Sequence, residues 1–341
     1  MKKRNYIAAV LALMLCIAAV AYKPIATACS ASKTEKAQAD EDKTEPMGPV
    51  FSADSAYRYC AIQCGFGPRT MNSEAHRACG DWIVDMFKGL GCTVQVQEAD
   101  LKGYDGTLLK ARNIMASYKP DAGERVLLCA HWDSRPWADN DPDPANWHKP
   151  VMAANDGASG VAVMLEVARL LNTQADLELG VDFLCFDAED WGIPQWSDAA
   201  DNGNTFALGA QHWAENKPQG YAPRFGILLD MVGGAGSRFY QEGVSREYAP
   251  DVVRKVWKAA RKAGFGSFFP KSDGAMITDD HVPLNTIANI PTIDIIPFYP
   301  DCAQSSFGPT WHTVNDTMDN IDKNTLRAVG QTIIQVLYAE Q

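Results

Sequence analysis

Residues 125–158 read RVLLCAHWDSRPWADNDPDPANWHKPVMAANDGA, and this stretch decides the fold. Val126, Leu127, Leu128 and Cys129 form an apolar run without alternation, the pattern of a strand covered on both faces in a parallel sheet. The run gives way to His131, Asp133 and Ser134, so the polar chemistry begins where the strand ends. Asn155-Asp156-Gly157 then leads into a strongly apolar helix over residues 161–171. Open α/β sheets gather ligands outside the carboxyl ends of their strands. A His-x-Asp there, followed by an Asp at a helix head, therefore has the composition of half a metal site. The competing reading of Asp156 is a plain helix cap.

Outward from this stretch the pattern of strand followed by acid recurs. Residues 181–186, VDFLCF, make a second continuous strand that ends in Asp187-Ala188-Glu189-Asp190, and three acids in four residues exceed what a solvated turn needs. Residues 225–229 form a strand ending in Asp230, Asp279-Asp280-His281 opens a loop, residues 292–297 form a buried strand, and Trp311-His312 follows. Residues 73–90 place Ala78, Trp82, Ile83, Met86, Phe87 and Leu90 on one helical stripe that Gly91 stops. Strands are expected at 93–98 and 111–118, and helices at 205–216, 251–262 and 323–338. This alternation predicts an α/β protein: a three-layer α/β/α sandwich with a mostly parallel, mixed central sheet, in one domain over residues 51–341.

Several residues read as supporting parts. His76 sits among polar neighbours and is expected at the surface or at a cap, and His148 and His212 likewise serve surface or packing roles. Trp132, Trp137 and Trp147 cover the sheet edge, Asp133 orients His131, and Asp187 caps or accepts within its loop.

Residues 1–28 have the plan of a secretory signal: a basic start, an apolar Ala-rich run from Ile7, and small residues at Ala26, Thr27 and Ala28. Cys29 is positioned for cleavage and lipid attachment, although Ala-Thr-Ala-Cys matches a bacterial lipobox only loosely. Residues 29–50 are polar and read as a disordered tether. The expected place of the protein is thus the periplasm, free or anchored through Cys29. Loss of the leader, with its four basic and no acidic residues, takes the formal charge from −11 to −15, which disfavours nucleic acid as a partner. Cys60, Cys64, Cys79, Cys92 and Cys302 are available for disulfides, whereas Cys129 and Cys185 lie in strand runs as small buried hydrophobes.

The strand ends thus offer His131, Asp156, Glu189 with Asp190, Asp230 and His312. Imidazole with carboxylate is a zinc inventory, sufficient for one ion or for two that share a bridging Asp. A structural calcium site is the competing reading, and the two His argue against it because calcium prefers oxygen donors.

The ordered set His131-x-Asp133, Asn155-Asp156-Gly157, Asp187-Ala188-Glu189-Asp190, Leu229-Asp230, Asp279-Asp280-His281 and Trp311-His312-Thr313 resembles the zinc-dependent glutaminyl cyclases, relatives of the dizinc aminopeptidases. The resemblance covers roughly residues 55–340 and implies a zinc aminopeptidase-like fold. It implies one Zn2+ per chain held by Asp156, Asp190 and His312, with Glu189 as acid/base and Asp230 and Asp279 as a relay beside it. It further implies a substrate pocket with Trp311, Trp196 and His281, and peptide or protein N-termini bearing Gln as substrates. Asp190 stands where animal cyclases usually carry Glu, and Trp196 matches a pocket Trp only with a one-residue slip. Dizinc aminopeptidases add the positions of His131 and Asp230 as ligands of a second metal, so a peptidase that hydrolyses N-terminal residues is the alternative.

Overall fold

The computed structural model describes residues 44–174, 177–199 and 205–340. The expected signal, Cys29 and most of the expected tether lie outside the described residues. From Glu45 onward the chain forms one compact unit. The tether reading therefore ends earlier than residue 50. Glu45 N–H donates to the Lys262 carbonyl at 2.7 Å and Met47 N–H to Gln335 Oε1 at 2.8 Å. Buried carboxamides on the last helix need such partners, and the approaching backbone supplies them.

Six strands build the sheet: β1 (Thr93–Lys102), β2 (Leu108–Tyr118), β3 (Arg125–His131), β4 (Gly180–Phe186), β5 (Gly226–Leu229) and β6 (Thr292–Ile295), in spatial order β1-β2-β4-β3-β5-β6. β4, β3, β5 and β6 run parallel, while β1 pairs antiparallel with β2 and β2 with β4. The sheet is thus mixed and mostly parallel, as expected. β4 lies on one side of β3 and β5 on the other. Strand order reverses there, and the rim above the carboxyl end of β3 becomes the natural crevice.

Eight helices are described: α1 (Ala53–Gly65), α2 (Glu74–Gly89), α3 (Ala158–Gln174), α4 (Leu208–Glu215), α5 (Gly243–Tyr248), α6 (Pro250–Lys262), α7 (His281–Thr286) and α8 (Lys323–Ala339). Because side chains alternate across a strand, β3 feeds two cores. Val126, Leu128 and Ala130 pack with α2, α3, α6 and α8, whereas Leu127 and Cys129 pack with Ala210 and Trp213 of α4 and Leu284 of α7. This is the three-layer sandwich. α2 starts on the Ser73 side chain, which accepts from His76 N–H, and ends beside Gly91 at φ +80°. α1 escaped the sequence reading because its buried face consists of Ala53, Ala56, Cys60 and Gln63, small or polar residues that give little periodic signal. A short helix, α7, replaces the loop expected at His281.

α3 approaches the sheet closely for a specific reason. A Cβ on Gly160 would stand 2.1 Å from the Leu229 carbonyl oxygen, one residue before Asp230. Only a missing side chain lets the helix and the strand end meet. No disulfide links the seven described cysteines, so the five that exported chemistry made available remain thiols, and Cys129 and Cys185 are fully buried as expected.

Candidate metal centre and pocket

The strand-end residues converge. His131 Nε2 lies 3.0 Å from Asp156 Oδ1 and 3.3 Å from Asp230 Oδ1. His312 Nε2 lies 3.2 Å from Asp190 Oδ1 and 3.6 Å from Asp156 Oδ2. Asp156 thereby stands between two three-residue groups, His131–Asp156–Asp230 and Asp156–Asp190–His312, each with ligand atoms close enough to share an ion. Its carboxylate faces these imidazoles and not the start of α3, which disposes of the cap reading. Oxygens Oδ2 of Asp156 and Asp190 and Oδ1 of Asp230 are buried without a hydrogen-bond donor. Zinc bound by N and O donors at about 2.0–2.2 Å in tetrahedral array separates its ligands by about 3.3 Å, and the observed spacings match that edge. The donor set fits zinc.

Local structure explains the aim of each side chain. The carboxylate of Asp316 accepts from Asn155 N–H at 2.8 Å and Asp156 N–H at 3.0 Å, and Asn155 Oδ1 accepts from Gly233 N–H at 2.8 Å. Asp133 accepts from Glu189 N–H and Asp190 N–H at 3.2 and 3.1 Å while its Oδ1 faces His131 Nδ1 at 3.4 Å, so it orients more than the histidine expected of it. His312 Nδ1 faces Asp139 Oδ1 at 3.3 Å. Buried Arg135 binds Asp139 at 2.7 Å, and its guanidinium also reaches the Asp190 carboxylate at 3.4 Å. Four of the eight described non-glycine residues with positive φ, namely Ala153, Ala188, Met231 and His312, sit on the turns that carry the site. Such conformations cost about 1–3 kcal/mol each and persist where surrounding contacts impose them.

A cavity of about 270 Å3 opens onto the second group, lined by Asp156, Glu189, Asp190, Asp230, Asp279 and His312 together with Phe206, Phe307 and Trp311. The Trp311 ring stacks on His312 with centroids 3.7 Å apart. Burial pushes the carboxyls of Glu189 and Asp279 above their usual range, and that of Asp230 up to about 7. Burial acts against His312, but the Asp190 and Asp139 carboxylates outweigh it and hold the imidazole at about 9. In the same way the acids around His131 overcome its burial and raise it. Asp156 goes the other way: burial opposes, and His131 holds its carboxyl below the ordinary value. A larger cavity, about 730 Å3, lies between α2 and the β1–β2 pair, and four of its charged residues form the ion pairs Arg112–Asp81 at 2.9 Å and Lys110–Asp100 at 2.8 Å.

Two expected pocket residues lie elsewhere. Trp196 does not line this cavity; it stacks on Trp147 at 6.1 Å and meets Trp137 and His148 edge-on, in an aromatic cluster outside it. His281 is fully buried, with Nε2 3.1 Å from Glu242 Oε2, and it too is absent from the cavity wall. His281 opens α7, and its imidazole turns inward to Glu242. His76 is a correction as well: it is buried, bound to Asp187 and stacked on Trp132, not at the surface. Trp132 is also fully buried. Sequence reasoning passed over Arg135, Asp139, Asp316 and Glu242. An Arg and an Asp four residues apart in the 125–158 stretch were the available signal for the first two.

The sequence pattern of peptidase family M28 matches residues 113–337, a span that holds the whole constellation. The chain belongs to peptidase family M28. This M28 chain is 54% identical to the crystallised Bacteroides thetaiotaomicron glutaminyl cyclase bound to N-acetylhistamine, with TM-score 0.84, covering 86% of this chain and 100% of that one. It is 46% identical to a Zn-dependent exopeptidase of Parabacteroides distasonis, TM-score 0.83, covering 86% and 99%. It is 28% identical to aminopeptidase YwaD of Bacillus subtilis over 80% of this chain, and the match spans about half of that relative, 54%. The protein is an M28 enzyme whose relatives include both cyclases and zinc exopeptidases, and the family implies zinc at the groups described.

Proposed function

We propose that this M28 enzyme is a glutaminyl-peptide cyclotransferase, an acyltransferase that converts the N-terminal glutamine of peptides and proteins to pyroglutamate with release of ammonia. The observation that carries the reading is Glu189: a buried carboxylate in an aromatic-walled pocket, beside the Asp156–Asp190–His312 group yet outside every group among the described residues that could hold a metal. Similarity to a cyclase at 54% identity supports it.

Asp156, Asp190 and His312 would hold a single zinc ion, which when bound supplies Lewis acidity toward the γ-amide carbonyl of the substrate. Glu189 takes a proton from the α-amine, whose nitrogen then bonds to the carbon of the γ-amide and closes a five-membered lactam. The bond from that carbon to the amide nitrogen breaks, and Glu189 returns the proton so that ammonia leaves. Burial raises the Glu189 carboxyl above its ordinary value, and one carboxyl at that position can both take up and return the proton. Asp230 and Asp279, raised for the same reason and lining the same cavity, supply further proton-holding oxygens beside it. Phe206, Phe307 and Trp311 exclude water and hold a folded conformer, which suits a reaction whose nucleophile and electrophile belong to one residue.

A second reading, a dizinc aminopeptidase, draws on the His131–Asp156–Asp230 group, whose geometry fits a second ion that shares Asp156. Incubation with a Gln-initiated dipeptide separates the two. Cyclisation lowers the peptide mass by one ammonia, whereas hydrolysis adds a water and frees an amino acid. Hydrolysis without ammonia loss overturns the cyclase reading. Residues 1–28 support an exported enzyme, free in the periplasm or anchored through a lipidated Cys29; fatty-acid labelling lost in Cys29→Ala supports the anchor, and none in wild type supports the free form.

A further inference from the structure

His76 takes no part in the metal groups or the catalytic cavity, and it is 1% exposed. Its Nε2 lies 2.9 and 3.0 Å from the two carboxylate oxygens of Asp187, at the carboxyl end of β4. Its ring stacks on Trp132, just past the end of β3, with centroids 4.3 Å apart and planes 10° from parallel. Trp132 Nε1–H donates to the Arg112 carbonyl at 3.2 Å, and Arg112 N–H donates to Asp187 Oδ2 at 2.7 Å. The four residues close a ring that ties α2 and β2 to two of the site-bearing strand ends, those of β3 and β4. An imidazole and a carboxylate taken wholly out of water are expensive unless each satisfies the other, so an ordinary core would place an apolar pair here.

The ring has a definite consequence. Asp187 Oδ1 also accepts from Ala188 N–H at 2.9 Å, while Ala188 is left-handed at φ +53°. That turn sends Glu189 N–H and Asp190 N–H back to Asp133 and leaves the Glu189 side chain on the cavity wall. We propose that His76 is a positioning residue for the reaction: through Asp187 it holds the strained turn at Ala188 that aims Glu189. The proposal rests on Glu189 being the acid/base.

Two variants of the full-length zinc-loaded enzyme test it. His76→Phe keeps a ring on Trp132 but removes the donor to Asp187, whereas His76→Gln keeps an N–H donor. With a Gln-initiated peptide, the expected result for His76→Phe is a fall in kcat of about tenfold or more, with KM within about twofold and zinc content unchanged, because small misplacements of a reacting group are costly. His76→Gln recovers most of kcat. Amide hydrogen exchange, read without turnover, accelerates at residues 188–190 in His76→Phe and returns toward wild type in His76→Gln. Unchanged kcat and unchanged protection in His76→Phe overturn the proposal. So does an equal loss in both variants that follows zinc content and thermal midpoint, the signature of a merely structural core residue. A wild-type enzyme that releases no ammonia refutes the cyclase reading instead, and the exchange pattern still decides whether His76 holds the turn.

Discussion

Replacement of Glu189 by Gln removes one ionisable oxygen and almost no volume. Its backbone N–H keeps the Asp133 carboxylate, and neither ligand group includes its side chain, so the turn and the metal site should survive. Proton transfer by a positioned carboxyl contributes about a hundredfold to ten-thousandfold, equivalent to about 3–5 kcal/mol of barrier, and the variant should lose that much of kcat. Stability should move in the opposite direction. Burial raises the Glu189 carboxyl well above its ordinary 4.5, so the fold favours the protonated form. That contribution is complete below the ordinary value and disappears as pH rises through the raised one. A Gln cannot ionise, so metal-free Glu189→Gln should melt at or above the wild-type temperature at neutral pH. Ammonia release, zinc by atomic emission and calorimetry on the same preparation give the three readouts. Activity within tenfold of wild type refutes the acid/base role, and zinc lost together with activity makes Glu189 a ligand.

Three further outcomes are expected. Chelation with EDTA should abolish turnover and lower the thermal midpoint, and zinc but not calcium should restore both; recovery at one equivalent supports the mononuclear reading, and a requirement for two supports the peptidase. Gly160→Ala forces a Cβ to 2.1 Å from the Leu229 carbonyl, so α3 must retreat by more than an ångström; urea unfolding should show a loss of about 1–3 kcal/mol, and a neutral result contradicts the close approach. Glu242 is opposed by its burial, yet the hydrogen bond and charge of His281 bring its carboxyl down to about 2. Relative to the ordinary 4.5 this is worth about 3 kcal/mol, present above pH 4.5 and lost as pH falls toward 2, so acid unfolding of Glu242→Gln should be shallower over that window, and identical curves would remove the effect.

Much of this site was readable along the chain. Strand ends are visible because continuous apolar runs break abruptly into acids, and Asp190 and Asp230 follow such breaks after β4 and β5, whereas Asp156 and His312 lie on turns further along the chain. All four line one cavity, together with Asp279 and Trp311. The misreadings have a common cause. His76 has polar neighbours in sequence, but a helix turns its third and fourth neighbours to the same side, and that side faces β2 and Trp132. Trp196 follows the acids closely in sequence, yet its ring joins Trp147 and Trp137 across the surface. Asp294 lies inside the buried run of β6, a warning of buried charge that periodicity alone does not weigh.

By itself the sequence determined the class of fold, the rim on which chemistry occurs and the types of ligand, because hydrophobic period and strand polarity are local properties. The tertiary structure decided which ligands meet: Asp156 between His131 and His312, Arg135 against Asp139 and Asp190, His76 against Asp187. Those pairings depend on the order β4-β3-β5-β6 and on how closely Gly160 lets α3 approach, and distances between residues far apart in the chain are set by packing, which no local pattern encodes.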